Sequence, residues 1–467
     1  MTQAPAAVSR ITRTQGLTIA ALAAVQLMLV LDVTVVNVAL PDIATDLGLG
    51  RAASTWVMTI YTTLFGGLVL AGGKAADLLG ARRVLAGGLA LFVLASLGSA
   101  LAPNGTVLLA GRALQGVGAA LVSPSALSVL LGSVSGPARG RALAVWGSLS
   151  AVGTAIGVSL GGLVTAAFGW EWVFAINVPV GVAVLAALPV LTEALPGTGA
   201  RPDLAGGTLV TAGTAALVYG LVTAGNAGWA SPSTLVPLLG GVVLWGGFAM
   251  SQWYVSEPML RLALLREPPV AAGAFLMVVA TGLMVGDFFL GSFTLQRAYA
   301  DGALRVGLEL LPAAVAVGFG AHVGGHLLDR LPTRHVAVAG LLLAMLGEGL
   351  AAIIGDRAAL AAGLAGASLG IGAVFVTAFR SALASAGPEE GGLRSAVVST
   401  AHELGGAFGV ALLSTLAASA LASAHPSPGG FSTAFGAAAG IALVGAVVAC
   451  VLVPAMPPQS TAGPHHH

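Results

Sequence analysis

The sequence predicts an all-α, polytopic membrane protein of fourteen spanning helices, and three observations carry that prediction. Only 8% of the 467 residues are charged and 57% are hydrophobic, with a mean hydropathy of +0.96. Soluble domains carry about 25% charged residues, so most of this chain cannot face water. Apolar runs of about 20 residues, the length that crosses a bilayer, recur along the chain, and they recur in two related sets. A net charge of +1 argues against nucleic acid as a partner. A single cysteine, Cys450, excludes a disulfide framework and a cysteine metal cluster.

The runs lie near residues 15–40, 54–73, 84–102, 106–132, 141–166, 172–191, 204–224, 234–254, 269–295, 304–328, 335–354, 358–381, 395–422 and 432–454. With both termini cytoplasmic, inner segments hold Arg10, Arg13, Lys74, Arg82, Arg83, Arg139, Arg141, Arg201, Arg261, Arg266, Arg330, Arg334, Arg380 and Arg394. Outer segments hold only Arg51, Arg297, Arg305 and Arg357. That asymmetry places the chain as a multi-pass protein of the plasma (inner) membrane with its basic loops inside. Arg10 and Arg13 precede the first run, but so many spans follow that it reads as a span and not a cleaved signal. The closing Gly-Pro-His-His-His resembles a tag remnant, so 457–467 is set aside as a tail.

The chain repeats itself at an offset of about 252–255 residues. "GVGAALVSP" (116–124) matches "GIGAVFVTA" (370–378), and "GTAIGV" (153–158) matches "GGAFGV" (405–410). "GGKAADLLGARR" (72–83) matches "GGHLLDRLPTRH" (324–335), aligning Asp77 with Asp329 and Arg82 with Arg334. "LDVTVVNVALP" (31–41) lies on "GDFFLGSFTLQ" (286–296), acid on acid. Residues 1–198 and 263–456 therefore form two six-helix bundles, and 199–262 adds two inserted helices without a counterpart. Two related halves around a central path is a transporter plan.

The first run holds a charge. Asp32 sits in "LDVTVVNVALPDIATDLG" (31–48), where a carboxylate costs about 2.5–3.5 kcal/mol on insertion scales. One cation, Arg112, also lies within a span. Asp32 is nine residues before Pro41, roughly 13 Å, and Arg112 is seven after Gly105, roughly 10 Å, at 1.5 Å per residue, which puts both at nearly one depth. Desolvation favours the neutral form of a carboxyl group, which suits Asp32 to proton binding. Glu403, about nine residues into the thirteenth run, is a second candidate; His402 points about 100° away from it. Glu309 and Glu348 are expected near the outer surface and His326 near the inner. His322 and His326 share a helix face without a third ligand, so no metal site is expected. The sole lysine, Lys74, precedes Ala75, so there is no phosphate-binding loop and no nucleotide cofactor. Work must come from an ion gradient.

The loop "GGKAADLLGARR" resembles the signature of the major facilitator superfamily. "LDVTVVNVALP", "AGRALQGVGAAL" (110–121) and "AVGTAIGVSLGGLVTAAFGWEWVFAINVPVG" (151–181) resemble its fourteen-helix drug:proton antiporters. Two departures stand out: Val158 follows Gly157 where antiporters carry a Gly-Pro pair, and Pro332 stands where a glycine would sit. The resemblance implies helices 1 and 4 side by side, so that Asp32 and Arg112 can meet and couple protons; Glu403, from its depth in the thirteenth run, is the third residue expected to take part in coupling. It implies a cytoplasmic latch of Gly73, Asp77, Gly80, Arg82 and Arg83, repeated at Asp329 and Arg334. It also implies a gating stripe at Gly153, Gly157 and Gly161, a spacing that equally suits ordinary small-residue packing. A substrate pocket between the halves would be lined by Asn37, Gln115, Met284, Asp287, Phe288, Phe289 and Phe293. The expected function is proton-driven export of small hydrophobic compounds, lipophilic cations among them, by a monomer that uses no cofactor beyond protons. Export of one dedicated metabolite or antibiotic, or uncoupled lipid movement, remain alternatives. No nucleophile–base set recurs at a spacing that suits an enzyme.

Overall fold

A computed structural model describes residues 13–133, 149, 153, 156–191, 203–255, 258–353, 356–384, 391–423 and 426–456. Arg10, Arg139, Arg141, Arg201 and the tail lie outside the described residues. The helices are α1 (Arg13–Asp46), α2 (Arg51–Leu79), α3 (Ala81–Ala100), α4 (Gly105–Ser133), α5 (Ile156–Phe168) and α6, in two segments (Glu171–Ala175 and Asn177–Leu191). They continue as α7 (Leu204–Ala227), α8 (Pro232–Tyr254), α9 (Pro268–Phe293), α10 (Ala303–Leu328), α11 (Thr333–Ile353), α12 (Arg357–Leu383), α13 (Gly391–Leu416) and α14 (Ser432–Leu452). Among the described residues thirteen of them are long and apolar enough to cross a membrane, and α5 is a shorter apolar helix. No strand forms among the described residues: in hydrocarbon the backbone must satisfy its own hydrogen bonds, and a helix does so within one segment.

Two boundaries differ from the hydropathy pattern. α1 continues through Pro41 to Asp46, because a proline removes one backbone bond that neighbouring helices can compensate, so Asp32 lies deeper from the helix end than the Pro41 count gave. α6 breaks at Ile176. Between α2 and α3 the chain turns at Gly80, whose φ of 90° suits only a residue without Cβ.

The halves pack alike. In the first, α4 lies against α1, α2 and α3; in the second, α12 lies against α9, α10 and α11. Gly153 and Gly161 abut Val30 and Val35 of α1, and Gly405 abuts Val278 of α9. The stripe at 153, 157 and 161 thus packs α5 onto α1 within its own bundle. The inserted pair forms a hairpin whose first helix, α7, packs on α2 of one half and α13 of the other. Arg51 Nη2 donates to the Val222 carbonyl at 2.6 Å and to Asn226 Oδ1 at 3.0 Å, and Thr415 Oγ1 donates to Leu221 O at 2.6 Å. α8 turns Val236, Leu239, Val243 and Met250 outward, as a lipid-facing helix would.

One end is sealed. In α1 residues 34–41 are all buried, and so are 280–295 of α9 and its extension. Across this seam Gln296 Nε2 donates to Val38 O at 2.7 Å, and α5 meets α10 at Gly162 and Gly307. The sealed end carries the few arginines expected outside. We expect single cysteines at 74–83 and 328–335 to react with impermeant reagents only from the cytoplasm. Labelling of either loop from outside would overturn the fourteen-span orientation.

Candidate functional site

Five helices converge on Asp32. Its carboxylate accepts from Arg112 Nη1 at 2.5 Å, from Gln115 Nε2 at 2.9 Å and from Asn177 Nδ2 at 2.8 Å. Arg112 Nη1 also donates to Gln115 Oε1 at 3.0 Å, and its Nε donates to the Val57 carbonyl of α2 at 3.1 Å. Gln115 and Asn177 both reach Ser96 Oγ of α3, at 2.8 and 3.5 Å. The guanidinium carbon lies 4.4 Å from the Tyr61 ring centroid and 5.8 Å from that of Phe174, cation–π contacts that strengthen when desolvated. Asp32 is 1% exposed and Arg112 0%. Their pairing offsets two desolvation costs, and the amide donors supply the further hydrogen bonds that a buried pair requires.

Glu403 stands apart from this network yet within its field. Its Cβ is the nearest neighbour a side chain at Gly66 of α2 would meet, 2.7 Å away. Tyr61, the ring over Arg112, lies within electrostatic reach of both Asp32 and Glu403. His402 turns elsewhere, with Nδ1 2.9 Å from Thr281 Oγ1 and its ring 5.8 Å from that of Phe375.

The second half has a different centre. Asp287 is 3% exposed and Glu348 0%. Their carboxyl groups face each other within hydrogen-bonding reach, and none of the four oxygens has another partner. Glu348 is therefore not at the outer surface, as its place in the sequence suggested. Glu309 is: it joins Arg305 at 2.9 Å and Arg357 at 3.5 Å at the sealed end.

Comparison with known proteins decides the family. The model of the Major Facilitator Superfamily matches residues 22–308 and 303–466. The chain belongs to the major facilitator superfamily. It is 35% identical to the puromycin resistance protein pur8 of Streptomyces alboniger, over 92% of this chain and 90% of that one. It is 34% identical to the cephamycin export protein CmcT of Amycolatopsis lactamdurans, over 94% and 91%. The fold resembles the crystal structure of a bacterial homologue of the human lysosomal transporter Spinster, with a TM-score of 0.63 at 15% identity, covering 94% of this chain and 95% of that one. A superfamily transporter, rather than an enzyme, is what these matches establish.

Within that superfamily frame, the other expected sites fare differently. In the cytoplasmic loop, Asp77 interacts with Lys74. The close approach is at Gly72, where a Cβ would sit 2.8 Å from the Ala120 carbonyl carbon; at Gly73 it would meet Pro124 at an ordinary 3.6 Å. Asp329 pairs with Arg380 at 3.2 Å, whereas Arg334 Nε donates to Val453 O at 2.8 Å. Both contacts stay inside the second half, so Asp329 and Arg334 do not latch to each other.

The expected pocket is also redistributed. Gln115 belongs to the Asp32 network, and Asp287 points to α11, which packs on α12 and α14 and makes no substantial contact with the first half. The Phe289 and Phe293 rings lie 4.9 Å apart, tilted by 44°, and with Leu49, Arg51, Ser54, Arg297 and Leu421 they line a void of about 10 Å³ in the seal. Asn37, Met284 and Phe288 are buried in the same helices. In this conformation these side chains form a closure. Among the described residues no three His, Cys, Asp or Glu side chains gather as a metal would require. Ser96, Asn177 and Tyr61 escaped the sequence reading. Asn177 carried a signal, being a lone amide inside an apolar run; Ser96 and Tyr61 carried none.

Proposed function

We propose that the chain exports small, largely hydrophobic molecules across the plasma membrane by alternating access, driven by protons entering in exchange. The observation that carries this reading is the buried Asp32–Arg112 pair, held by amide donors from α4 and α6. A proton placed on Asp32 cancels the ion pair and leaves Arg112 with Gln115 Oε1, the Val57 carbonyl and the Tyr61 and Phe174 rings. Conformations that keep the two apart bind the proton, those that join them release it, and differential proton affinity between access states is what coupling needs. Glu403, in electrostatic reach through Tyr61 on the other side of the α2–α13 seam, relays the state of one half to the other. The chain acts as a monomer with both termini cytoplasmic, without metal or organic cofactor.

The names of the relatives support export and favour a second reading as well. Two relatives are each named for one antibiotic, puromycin or cephamycin, whereas another relative, 31% identical over 87% of this chain, is the multidrug resistance protein Stp of Mycobacterium tuberculosis. Broad drug export and dedicated export of one antibiotic share the same coupling site and differ in the pocket. A panel of dyes and antibiotics in proteoliposomes, with and without an imposed pH gradient, separates them. Asp32→Asn is expected to abolish gradient-driven accumulation while leaving substrate binding within a few-fold of wild type. Uphill pumping by Asp32→Asn with normal proton dependence would remove Asp32 as the coupling site.

A further inference from the structure

The two halves share a carboxylate node and neutralise it differently. The offset of 252 that joins Asp77 to Asp329 and Gly153 to Gly405 carries Ser96 to Glu348, and the acid-on-acid alignment carries Asp32 to Asp287. The structure keeps both correspondences: Asp32 of α1 faces α3 at Ser96 through Gln115 and Asn177, and Asp287 of α9 faces Glu348 of α11. The offset of 254 that joins residues 116–124 to 370–378 carries Arg112 to Gly366. Gly366 lies against Gly347, the residue before Glu348; a Cβ there would be 3.8 Å from the Gly347 Cα. The arginine's place is empty of charge, and a second acid stands where the first half has a hydroxyl.

Among the described residues no other charge balances these acids; Arg297, on the extension of α9, donates to the Leu421 carbonyl at 3.0 Å. Among the elements packed on α9 and α11, α12 carries Arg357 and Arg380 only at its two ends, and both are paired with other acids. α10 holds Arg305 and Glu309 at one end and exposed His322 and His326 at the other. On α13, Arg394 binds Glu267, His402 binds Thr281 and Glu403 faces Gly66. Thr281 is six residues before Asp287, roughly 9 Å along the helix. α14 contributes only Cys450, α11 itself Arg334, bound to Val453 O, and His335 at its first turn, and α1 offers Asp32, already held in its own network.

Two carboxylates in contact inside a protein do not both ionise; one keeps a proton and donates it to the other. We infer that Asp287 and Glu348 form a proton-binding site of the second half, holding one exchangeable proton where the first half holds Arg112. The existence of the site does not depend on the antiport reading; its use in transport does. Asp287 lies in the 280–295 stretch that is buried in the sealed state.

Infrared difference spectroscopy of the full chain in lipid, stepped from acid to alkaline pH, tests this without a substrate. We expect a protonated-carboxyl band that shifts on transfer to D₂O, persists in Asp32→Asn and is lost in the double variant Asp287→Asn, Glu348→Gln. Those replacements keep the size and hydrogen bonding of the pair, and circular dichroism of the double variant checks that its helices are intact. A band unchanged in the double variant, or one displaced by sodium at fixed pH, would overturn the assignment. If the band behaves as expected while a pH gradient drives no export, the antiport reading falls and the site stands; proton-driven export with no such band does the reverse.

Discussion

Replacing Arg112 by leucine is expected to destabilise the first half by about 3–5 kcal/mol, the usual cost of leaving one member of a buried ion pair behind. The change strips Asp32 of its cation and α2 of the Nε bond to the Val57 carbonyl at 3.1 Å, and it leaves the Tyr61 and Phe174 rings without their partner. Gln115 and Asn177 still donate to the carboxylate, so the loss should sit within that range and not beyond it. The double variant Asp32→Asn, Arg112→Leu should recover a large part of the stability, since contacting residues are not additive, yet remain inactive. Arg112→Lys should recover little, because a lysine offers no planar fork to span Asp32, Gln115 and Val57 together. Thermal melting in detergent, compared across the four proteins, reads this directly. An Arg112→Leu protein as stable as wild type would mean that the amide donors alone hold Asp32.

That pair was legible in the sequence for a simple reason. Charges are so costly in a span that each one announces itself, and helix rise converts sequence position into depth. The internal repeat was equally legible, because glycines at helix crossings cannot be replaced without separating the helices. Azimuth was not legible. Depth alone put Asp287 in a central pocket and Glu348 at a surface, whereas rotation about α9 and α11 turns both into one bundle. The same limit explains the stripe at Gly153, Gly157 and Gly161: spacing reveals one face of α5 and does not say whether α1 or the opposite half meets it. The partner of α7 was hidden because helices without a repeat counterpart have no register to borrow. Arg51, counted among the outer charges, turns out to bind that helix.

The difference between the halves also suggests a division of labour. A buried arginine holds its carboxylate in one hydrogen-bonded geometry, with five donors fixed in a plane. A shared proton imposes far less geometry and leaves the second half free to respond to hydration. Sealing and opening would then be governed by contacts between the halves rather than inside them.

Gly307→Val should abolish transport while leaving the melting temperature nearly unchanged, because it acts on a contact made in one state only. At Gly307 of α10 a Cβ would lie 2.9 Å from the Val158 carbonyl oxygen and 3.1 Å from the Gly162 Cα of α5. The facing position is as tight: a Cβ at Gly162 would lie 2.5 Å from the Ala303 carbonyl oxygen. These neighbours are backbone, and close packing gives them no room to yield. α5 belongs to the first half and α10 to the second, so each bundle folds without this contact, and only closure of the sealed end needs it. A valine must hold the two helices apart and bias the molecule toward the open form at that end. Ser54 reports the change: it is 3% exposed and lines the void beside Phe289 and Phe293. In a Cys450→Ala background, Ser54→Cys should react slowly with an impermeant maleimide, and at least tenfold faster once Gly307→Val is added. Gly307→Ala should fall between the two. If Ser54→Cys stayed protected in the valine variant, the Gly162–Gly307 crossing would not be the contact that closes this end.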